Sequence, residues 1–200
     1  MWPFSRKSKD PAPAASVSVR QAVEQLATLG IRRRSGISDD DLLLSLGGTM
    51  DSPVDWAGLL CVLGGEVERG KFQRISDDLW HLDAECIEDN GDYVRVLERF
   101  VILAKGQLPL TALRDHVDIE NGEAWVEFTL DGQPVHWDLE VDNDWLAPEL
   151  YTRLQQLVES HAGGKKFFIV ALGQDSLVCF GDDAMKEALS KLSGLKFEWE

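Results

Sequence analysis

Apolar residues in the first third of the chain recur at the spacing of helical faces. In the segment SVRQAVEQLATLG, valine and leucine return every three or four positions and form one stripe, which predicts an amphipathic helix. Ser18 and Gln21 have the spacing of a capping box at its start, and Gly30 ends it. Two further segments that begin at Ser38 and Ser52 predict two more short helices with acidic first turns.

Glycine, proline and aspartate mark the boundaries of the second and third helices. Gly47 and Gly64 are expected to close them as C-caps, and Pro53 suits the first position of the third helix. The consecutive aspartates from Asp39 to Asp41 could bind a metal, but compensation of the positive helix end explains them more simply. The first third of the chain therefore predicts a layer of three short capped helices.

The middle of the chain combines one short extended piece with two longer helices. Leu79 to Leu82 is predicted to be extended, and GDYVRVLERFVILAKG is predicted to be an amphipathic helix that Gly106 closes. Pro148 opens another long helix with a leucine stripe. Between these helices the pattern changes from a period near 3.6 to a period of 2, which indicates strands. After the second helix, the apolar runs KKFFIVALG and SLVCFG predict two strands, DDAMKEALSKL predicts a capped helix, and LKFEW predicts a terminal strand.

The segment GEAWVEFTLDGQPVHWDLEV predicts a β-hairpin around the two-residue turn Asp131-Gly132. This turn pairs apolar residues with each other on one face of the hairpin. On the other face the predicted pairs are Glu127 with His136, Trp125 with Asp138, and Glu123 with Glu140. Because two carboxylates that face each other repel, the last pair is expected to be solvated or to hold a cation.

The order of the elements predicts an α+β fold. Short N-terminal helices are expected to pack with a mostly antiparallel sheet of about five strands and two C-terminal helices. Residues 1–17 are predicted to be a disordered tail, and residues 18–200 a single domain. Within it we expect a helical subregion, 18–106, and a sheet-rich subregion, 107–200, that share a core.

Length and composition suit a chain that folds by itself in the cytoplasm. Its 200 residues are 44% hydrophobic and 28% charged, and no run of apolar residues is long enough to span a bilayer. The three cysteines lie far apart in apolar surroundings and are expected to be reduced. Trp2 and Phe4 beside basic residues could touch an anionic membrane, but a frayed tail is the simpler interpretation.

Negative charge is concentrated after the first helix. The net charge is −15, but residues 1–38 hold seven Lys and Arg against two acids, which leaves −20 for residues 39–200. Residues 115–149 hold eleven acids and no Lys or Arg. Such a field repels nucleic acid and attracts basic protein surfaces, although high negative charge also simply maintains solubility.

Motifs for metal, phosphate and nucleophilic chemistry are absent or incomplete. No calcium loop, P-loop, nucleophile elbow or zinc-finger spacing fits the sequence, and no cofactor motif is found. The basic run Arg32 to Arg34 lacks interleaved aromatics, so nucleic-acid binding is not expected. A metal-dependent hydrolase built on His81 with Asp83 and Glu85 remains an alternative.

Tryptophan is unusually frequent, and four of its occurrences, Trp80, Trp125, Trp137 and Trp145, lie inside the acidic tracts. Seven occur in the chain, and Trp125 is predicted to stand on the polar face of the hairpin among carboxylates. Aromatic anchors ringed by acid suit a basic protein surface, because the ring fills a pocket while the carboxylates pair with Lys or Arg. The alternative is that another layer of the protein covers this face.

Three segments, DLWHLDAECIEDNGDYVRV, DIENGEAWVEFTLDG and GLKFEWE, together resemble an uncharacterised bacterial family that is similar to the immunity proteins of polymorphic or contact-delivered toxins. The resemblance covers most of residues 18–200. It implies a cytoplasmic protein that binds and inhibits a cognate toxin, and it supplies no catalytic residues.

These observations favour a non-enzymatic acidic binding protein, in particular an immunity protein that occludes the basic surface or active cleft of a toxin. The alternatives are the metal-dependent hydrolase and an adaptor module of a secretion system. No cofactor, nucleic acid or membrane is expected, and the oligomeric state stays open. The candidate partner-binding residues are Trp125, Glu123, Glu127, Asp138, Glu140, Asp83, Glu85, Glu88, Asp89 and Asp92.

Overall fold

A computed structural model describes residues 16–161 and 163–199, except for the side chains of residues 161 and 199. The first fifteen positions of the predicted tail, with Trp2 and Phe4, lie outside the described residues. The described residues form an α+β fold with six helices. These are α1 (Val19–Thr28), α2 (Asp39–Leu46), α3 (Trp56–Gly64), α4 (Asp92–Leu103), α5 (Pro148–His161) and α6 (Asp183–Ser193).

Nine strands in the described residues form three antiparallel sheets, whereas the sequence predicted one sheet of about five strands. The sheet orders are β1-β2, β3-β8-β7-β9 and β4-β5-β6. The strands are β1 (Glu66–Glu68), β2 (Phe72–Arg74), β3 (Leu79–Asp83), β4 (Thr111–Asp118), β5 (Glu123–Leu130), β6 (Gln133–Leu139), β7 (Lys166–Leu172), β8 (Asp175–Gly181) and β9 (Glu198–Trp199). Of these, β1, β2 and β4 were not predicted.

The four-stranded sheet lies between two hydrophobic cores. Phe168 and Leu177 face the first core, which they share with α1, α2, α3 and α6. Phe167 and Val178 face the second core, which they share with α4, α5 and the sheet β4-β5-β6. Both faces of the central strands are therefore buried, which explains why β7 and β8 read as continuous apolar runs.

Two of the three predicted helix starts are confirmed. Ser18 with Gln21 and Ser38 with Asp41 form complete capping boxes, in which each side chain accepts the other residue's backbone N–H. The prediction at Ser52 is wrong, because α3 begins at Trp56. Residues 52–54 are instead extended and pair with the chain at the start of α1. The backbone N–H of residue 19 donates to the carbonyl oxygen of residue 52, and the N–H of residue 54 donates to that of residue 17.

The two glycines expected to close helices differ in role. Gly47 has the positive φ, 69°, of a residue beyond a helix end, as predicted. Gly64 is the last residue of α3 and allows α3 to approach β3 closely. A Cβ atom built at Gly64 would lie 2.4 Å from the backbone nitrogen of His81, so only glycine fits there without a shift.

Candidate functional site

The sheet β4-β5-β6 has one buried face and one open face. Ala124, Val126 and Phe128 of β5 are buried in the second core. The residues between them point to the opposite side, because side chains alternate along a strand. We call this opposite side the acidic face; it carries Arg114, His116 and Asp118 from β4, Glu123, Trp125 and Glu127 from β5, and His136 and Asp138 from β6.

The hairpin β5-β6 has the predicted turn and register. Asp131 and Gly132 both have positive φ, 51° and 77°, as a type I′ turn requires. Leu130 pairs with Gln133, and the pairing continues through Trp125 opposite Asp138 to Ala124 opposite Leu139. The turn and the alternation together therefore place Trp125 on the acidic face.

The predicted pair of Glu123 and Glu140 does not form part of the ladder. Strand β6 ends at Leu139, and the backbone N–H of Glu140 donates to the carboxylate of Glu149 at 2.6 Å. Glu123 instead lies across from Asp118 of β4. Two carboxylates still face each other at this end of the sheet, although they belong to a different strand pair.

The acidic face is exposed to solvent in the part of the chain that the structure describes. Glu123, His136 and Asp138 are exposed, and Trp125 and Glu127 are half-buried. The covering layer considered as an alternative is not found among the described elements. A large aromatic ring therefore stands on an open sheet surface among carboxylates.

Trp125 stands between two histidines from the neighbouring strands. The ring of His116 is stacked on its indole with centroids 5.7 Å apart and planes 30° apart, and the ring of His136 lies 5.4 Å away at 35°. The three rings form a row across β4, β5 and β6. Sequence reasoning did not predict the part that β4 contributes.

His136 also bridges two carboxylates of the acidic face. Its Nδ1 lies 3.1 Å from Glu127 Oε1, and its Nε2 lies 3.1 Å from Asp138 Oδ1. These hydrogen bonds, first to Asp138 and then to Glu127, raise the pKa of His136 above its usual value. Charge on the acidic face is therefore coupled to protonation of this imidazole.

Strand β4 was missed because its inward side is not uniformly apolar. Asp115 pairs with the buried Val126, and its carboxylate accepts the backbone N–H groups of Gly91 at 2.8 Å and Val94 at 3.0 Å. This remote carboxylate supplies the cap for the N-terminus of α4, since Gly91 has no side chain. The available signal was the alternation of the inward Leu113 and Val117 with the polar Arg114, His116 and Asp118, which the inward Asp115 interrupts.

The acidic loop, residues 83–92, contains both exposed and structural carboxylates. Glu88 and Asp89 are exposed, but Asp92 is only 7% exposed and accepts the backbone N–H groups of both. Asp92 also pairs with Arg95. Although Asp92 was a candidate binding residue, its carboxylate is engaged within the loop.

The loop and the acidic face meet at β4. Asn90 accepts the backbone N–H of Val117 at 2.9 Å, and Gly91 donates to Asp115. Because β4 is the edge strand of its sheet, these bonds place the acidic loop along the edge of the sheet that carries the acidic face. The structure therefore brings two distant acidic segments together.

The other two loop carboxylates face a different part of the surface. Asp83 and Glu85 are exposed, and both accept hydrogen bonds of 2.9 Å from the side-chain amide of Gln174, between β7 and β8. Glu85 also forms a β-bridge with Trp145, which is 38% exposed. These two acids thus border the central sheet rather than the acidic face.

His81 lies next to a carboxylate other than the two predicted for it. Its Nε2 is 3.4 Å from Asp175 Oδ2, without the geometry of a hydrogen bond. Among the described residues, no group of three or more His, Cys, Asp or Glu side chains is arranged to hold a metal ion.

The three cysteines are free thiols in apolar surroundings. Burial raises the pKa of Cys86 to about 11, and it also raises the pKa values of Cys61 and the fully buried Cys179. Because the thiolate is the nucleophilic form, these side chains are poorly suited to nucleophilic chemistry at neutral pH.

A cleft of about 510 Å³ lies between α3, β3 and α4. Its lining includes Arg74 and Arg99, but also Glu66 and Glu98, beside the partly buried Trp80. Basic and acidic groups thus face each other across the cleft. It has no single sign of charge that would select an anionic or a cationic ligand.

Arg99 links α4 to the first residue of β3 and to the segment before it. It is 7% exposed, and its Nη2 donates to the carbonyl oxygens of Ser76 at 2.9 Å and Leu79 at 2.7 Å. Burial lowers the pKa of Arg99 to about 10, so the side chain stays charged at neutral pH. These bonds indicate a structural role for the residue.

Comparisons of the chain with models of known protein families, with curated proteins and with solved structures found no match. No helix in residues 16–161 and 163–199 is long and apolar enough to cross a membrane.

Proposed function

We propose that this chain is a non-enzymatic binding protein that captures a basic protein partner on the acidic face. The observation that carries the proposal is the half-buried Trp125, held between two histidines on an open sheet and surrounded by carboxylates. The contact residues proposed are Trp125, Glu123, Glu127 and Asp138, with Glu140, Glu88 and Asp89 at the border.

The stacked rings make Trp125 a preorganised anchor. Since its indole is flanked by His116 and His136, it has less rotational freedom to lose on binding than an isolated tryptophan. Aromatic side chains in such positions dominate the affinity of many interfaces. The surrounding carboxylates then select a partner that presents Lys or Arg around an apolar pocket.

Long-range charge favours encounter with the same class of partner. Residues 39–200 carry a formal charge of −20, and the tract from 115 to 149 includes most of the acidic face. Such a field accelerates association with a basic surface and weakens as salt is added. Charge is thus expected to govern the rate of association, and the central aromatic the lifetime of the complex.

The most specific form of the proposal is an immunity protein that occludes the basic surface or active cleft of a bacterial toxin. Its support is the resemblance of three segments, including DLWHLDAECIEDNGDYVRV, to such proteins, together with the acidic surface. Asp92 is omitted from the contact set because its carboxylate is engaged in the loop. Asp83 and Glu85 form a separate, secondary candidate site near Trp145.

The proposal predicts that charge reversal on the acidic face slows association. The test variant is Glu127→Lys with Asp138→Lys, and the matched control is Glu24→Lys with Glu187→Lys, two exposed helical positions that change the net charge equally. Wild type and both variants are used to capture partners from a lysate of the encoding organism, and association rates with the recovered partner are then measured.

We expect a stoichiometric basic protein to bind wild type and the control. The acidic-face variant should associate about tenfold more slowly or worse, because electrostatic steering alters association rates by that order. Circular dichroism checks that both variants fold. Equal rates for all three proteins would remove the acidic face as the contact site, and recovery of no basic protein would contradict the proposal.

A further inference from the structure

His136 contacts Glu127 and Asp138, the same two carboxylates that a Lys or Arg of a partner would bind on the acidic face. Its two ring nitrogens contact Glu127 and Asp138, each at 3.1 Å, and its ring packs against Trp125. Both carboxylates are otherwise open to solvent on the acidic face, with 43% of the Glu127 side chain and 92% of the Asp138 side chain exposed. The imidazole thus stands at the centre of the proposed contact region.

Protonation of His136 changes both the charge and the hydrogen bonds of this region. The neutral ring carries one N–H donor and can satisfy only one carboxylate at a time, whereas the imidazolium donates from both nitrogens. The charged ring therefore holds Glu127 and Asp138 together and cancels part of their negative charge. A Lys or Arg from a partner would have to displace it.

We propose that His136 is a proton-controlled gate on the acidic face, open to basic groups when the imidazole is neutral and closed when it is protonated. This inference rests on the proposed function, because it concerns how the same face binds a basic partner. Binding of a cation between Glu127 and Asp138 should release a proton from His136, since the two compete for the same carboxylates.

The remaining charged groups around His136 support this direction of control. Those facing it on the three strands are Arg114, His116 and Asp118 from β4, Glu123 and Glu127 from β5, and Asp138 from β6. Four of the six are carboxylates and one is a histidine, so the surroundings favour the imidazolium while no partner is present. His116 lies on the far side of Trp125, and its ring stacks on the indole.

The sign of the pH dependence follows from the pKa of His136. Hydrogen bonds to Asp138 and Glu127 raise this pKa in the folded chain, so the proton stabilises the free folded protein. That stabilisation is present below the pKa of an unfolded histidine and is lost as pH rises through the higher folded value. Affinity for a basic partner should change in the opposite direction and increase with pH.

The test uses an oligolysine peptide as the probe and measures its affinity by calorimetry between about pH 5 and 8, where histidine titrates and lysine stays charged. The variants are His136→Gln, which removes the titration, and His81→Gln as a control, because His81 lies beside Asp175 and not on the acidic face. NMR follows the imidazole of His136 in wild type, Glu127→Gln and Asp138→Asn.

We expect wild type and His81→Gln to bind the peptide about two- to five-fold more weakly at the acidic end, as for loss of one exposed charge contact. His136→Gln should bind with nearly constant affinity. The pKa of His136 should fall in both carboxylate variants, and an unchanged pKa would contradict the bridge.

Two further outcomes separate this inference from the function on which it rests. If wild type binds the peptide equally at every pH, the gate is wrong while the cation-binding face stands. If the peptide binds at no pH, the acidic face does not bind cations, and the proposed function is overturned together with the gate.

Discussion

At the scale of single residues, carboxylates with the same sequence context have different roles. Within the acidic loop, Glu88 and Asp89 are exposed, while Asp92 is buried and accepts their backbone N–H groups. Asp115, inside the longest acidic tract, caps α4 from a different element. Composition could not separate these roles, because each depends on which backbone groups the fold brings within reach.

Replacement of Asp92 should affect stability and leave the surface field largely intact. Asp92→Ala leaves two backbone N–H groups of the loop without their acceptor, which is expected to cost about 1–2 kcal/mol of unfolding free energy. Denaturant unfolding measures the change. Glu88→Ala, at an exposed neighbour, serves as the control and should change stability by less than about 0.5 kcal/mol; equal effects would contradict the structural role of Asp92.

At the scale of elements, sequence patterns correctly predicted the caps and the turn, which are stabilised by contacts between residues close together in the chain. The capping boxes at Ser18 and Ser38 and the turn at Asp131-Gly132 involve residues within a few positions of each other. The start of α3 was missed because residues 52–54 pair with the chain before α1, a contact between distant segments. Strand β4 was missed because Asp115 points inward where an apolar residue is expected. Its carboxylate accepts backbone N–H groups at the start of α4, which lies earlier in the chain.

The contact between α3 and β3 yields a prediction at this scale. Gly64→Ala should destabilise the fold by about 1–3 kcal/mol or more, because the added methyl group would meet the backbone of Trp80 and His81, which cannot move as a flexible side chain could. Thermal or denaturant unfolding measures this loss. Gly132→Ala is not a suitable control, since its φ of 77° adds backbone strain of its own.

Ala57→Gly is a suitable comparison for Gly64→Ala, because it changes a residue of the same helix in the opposite sense. It should cost only the helix propensity of about 1 kcal/mol, with little effect on packing. If Gly64→Ala proved neutral or stabilising, the close approach of α3 to β3 would be wrong.

At the scale of the whole molecule, excess negative charge opposes compaction. The chain carries a net charge of −15, and carboxylates outnumber Lys and Arg by 35 to 20. Ion pairs such as that of Arg34 with Asp77 offset part of this repulsion. Because Lys and Arg are fewer than carboxylates, screening by salt should weaken the repulsion between carboxylates more than the attraction within ion pairs.

Added salt is therefore expected to stabilise the fold. The denaturant midpoint in urea should increase between low ionic strength and about 0.5 M NaCl, a range over which the Debye length becomes shorter than the spacing of most surface charges. Repeating the measurement with KCl distinguishes screening from specific ion binding. A midpoint that falls with both salts would show that ion pairs outweigh repulsion in this protein.

The sequence by itself determined the helix caps, the hairpin register and the outward position of Trp125, because turns, caps and alternation act between near neighbours. It also determined the net charge of −15. Only the tertiary structure decided the division into three sheets, the pairing of β3 with the distant β8, and the row of His116, Trp125 and His136. Those features depend on contacts between segments far apart in the chain, which are formed when apolar faces are buried together and leave no local pattern.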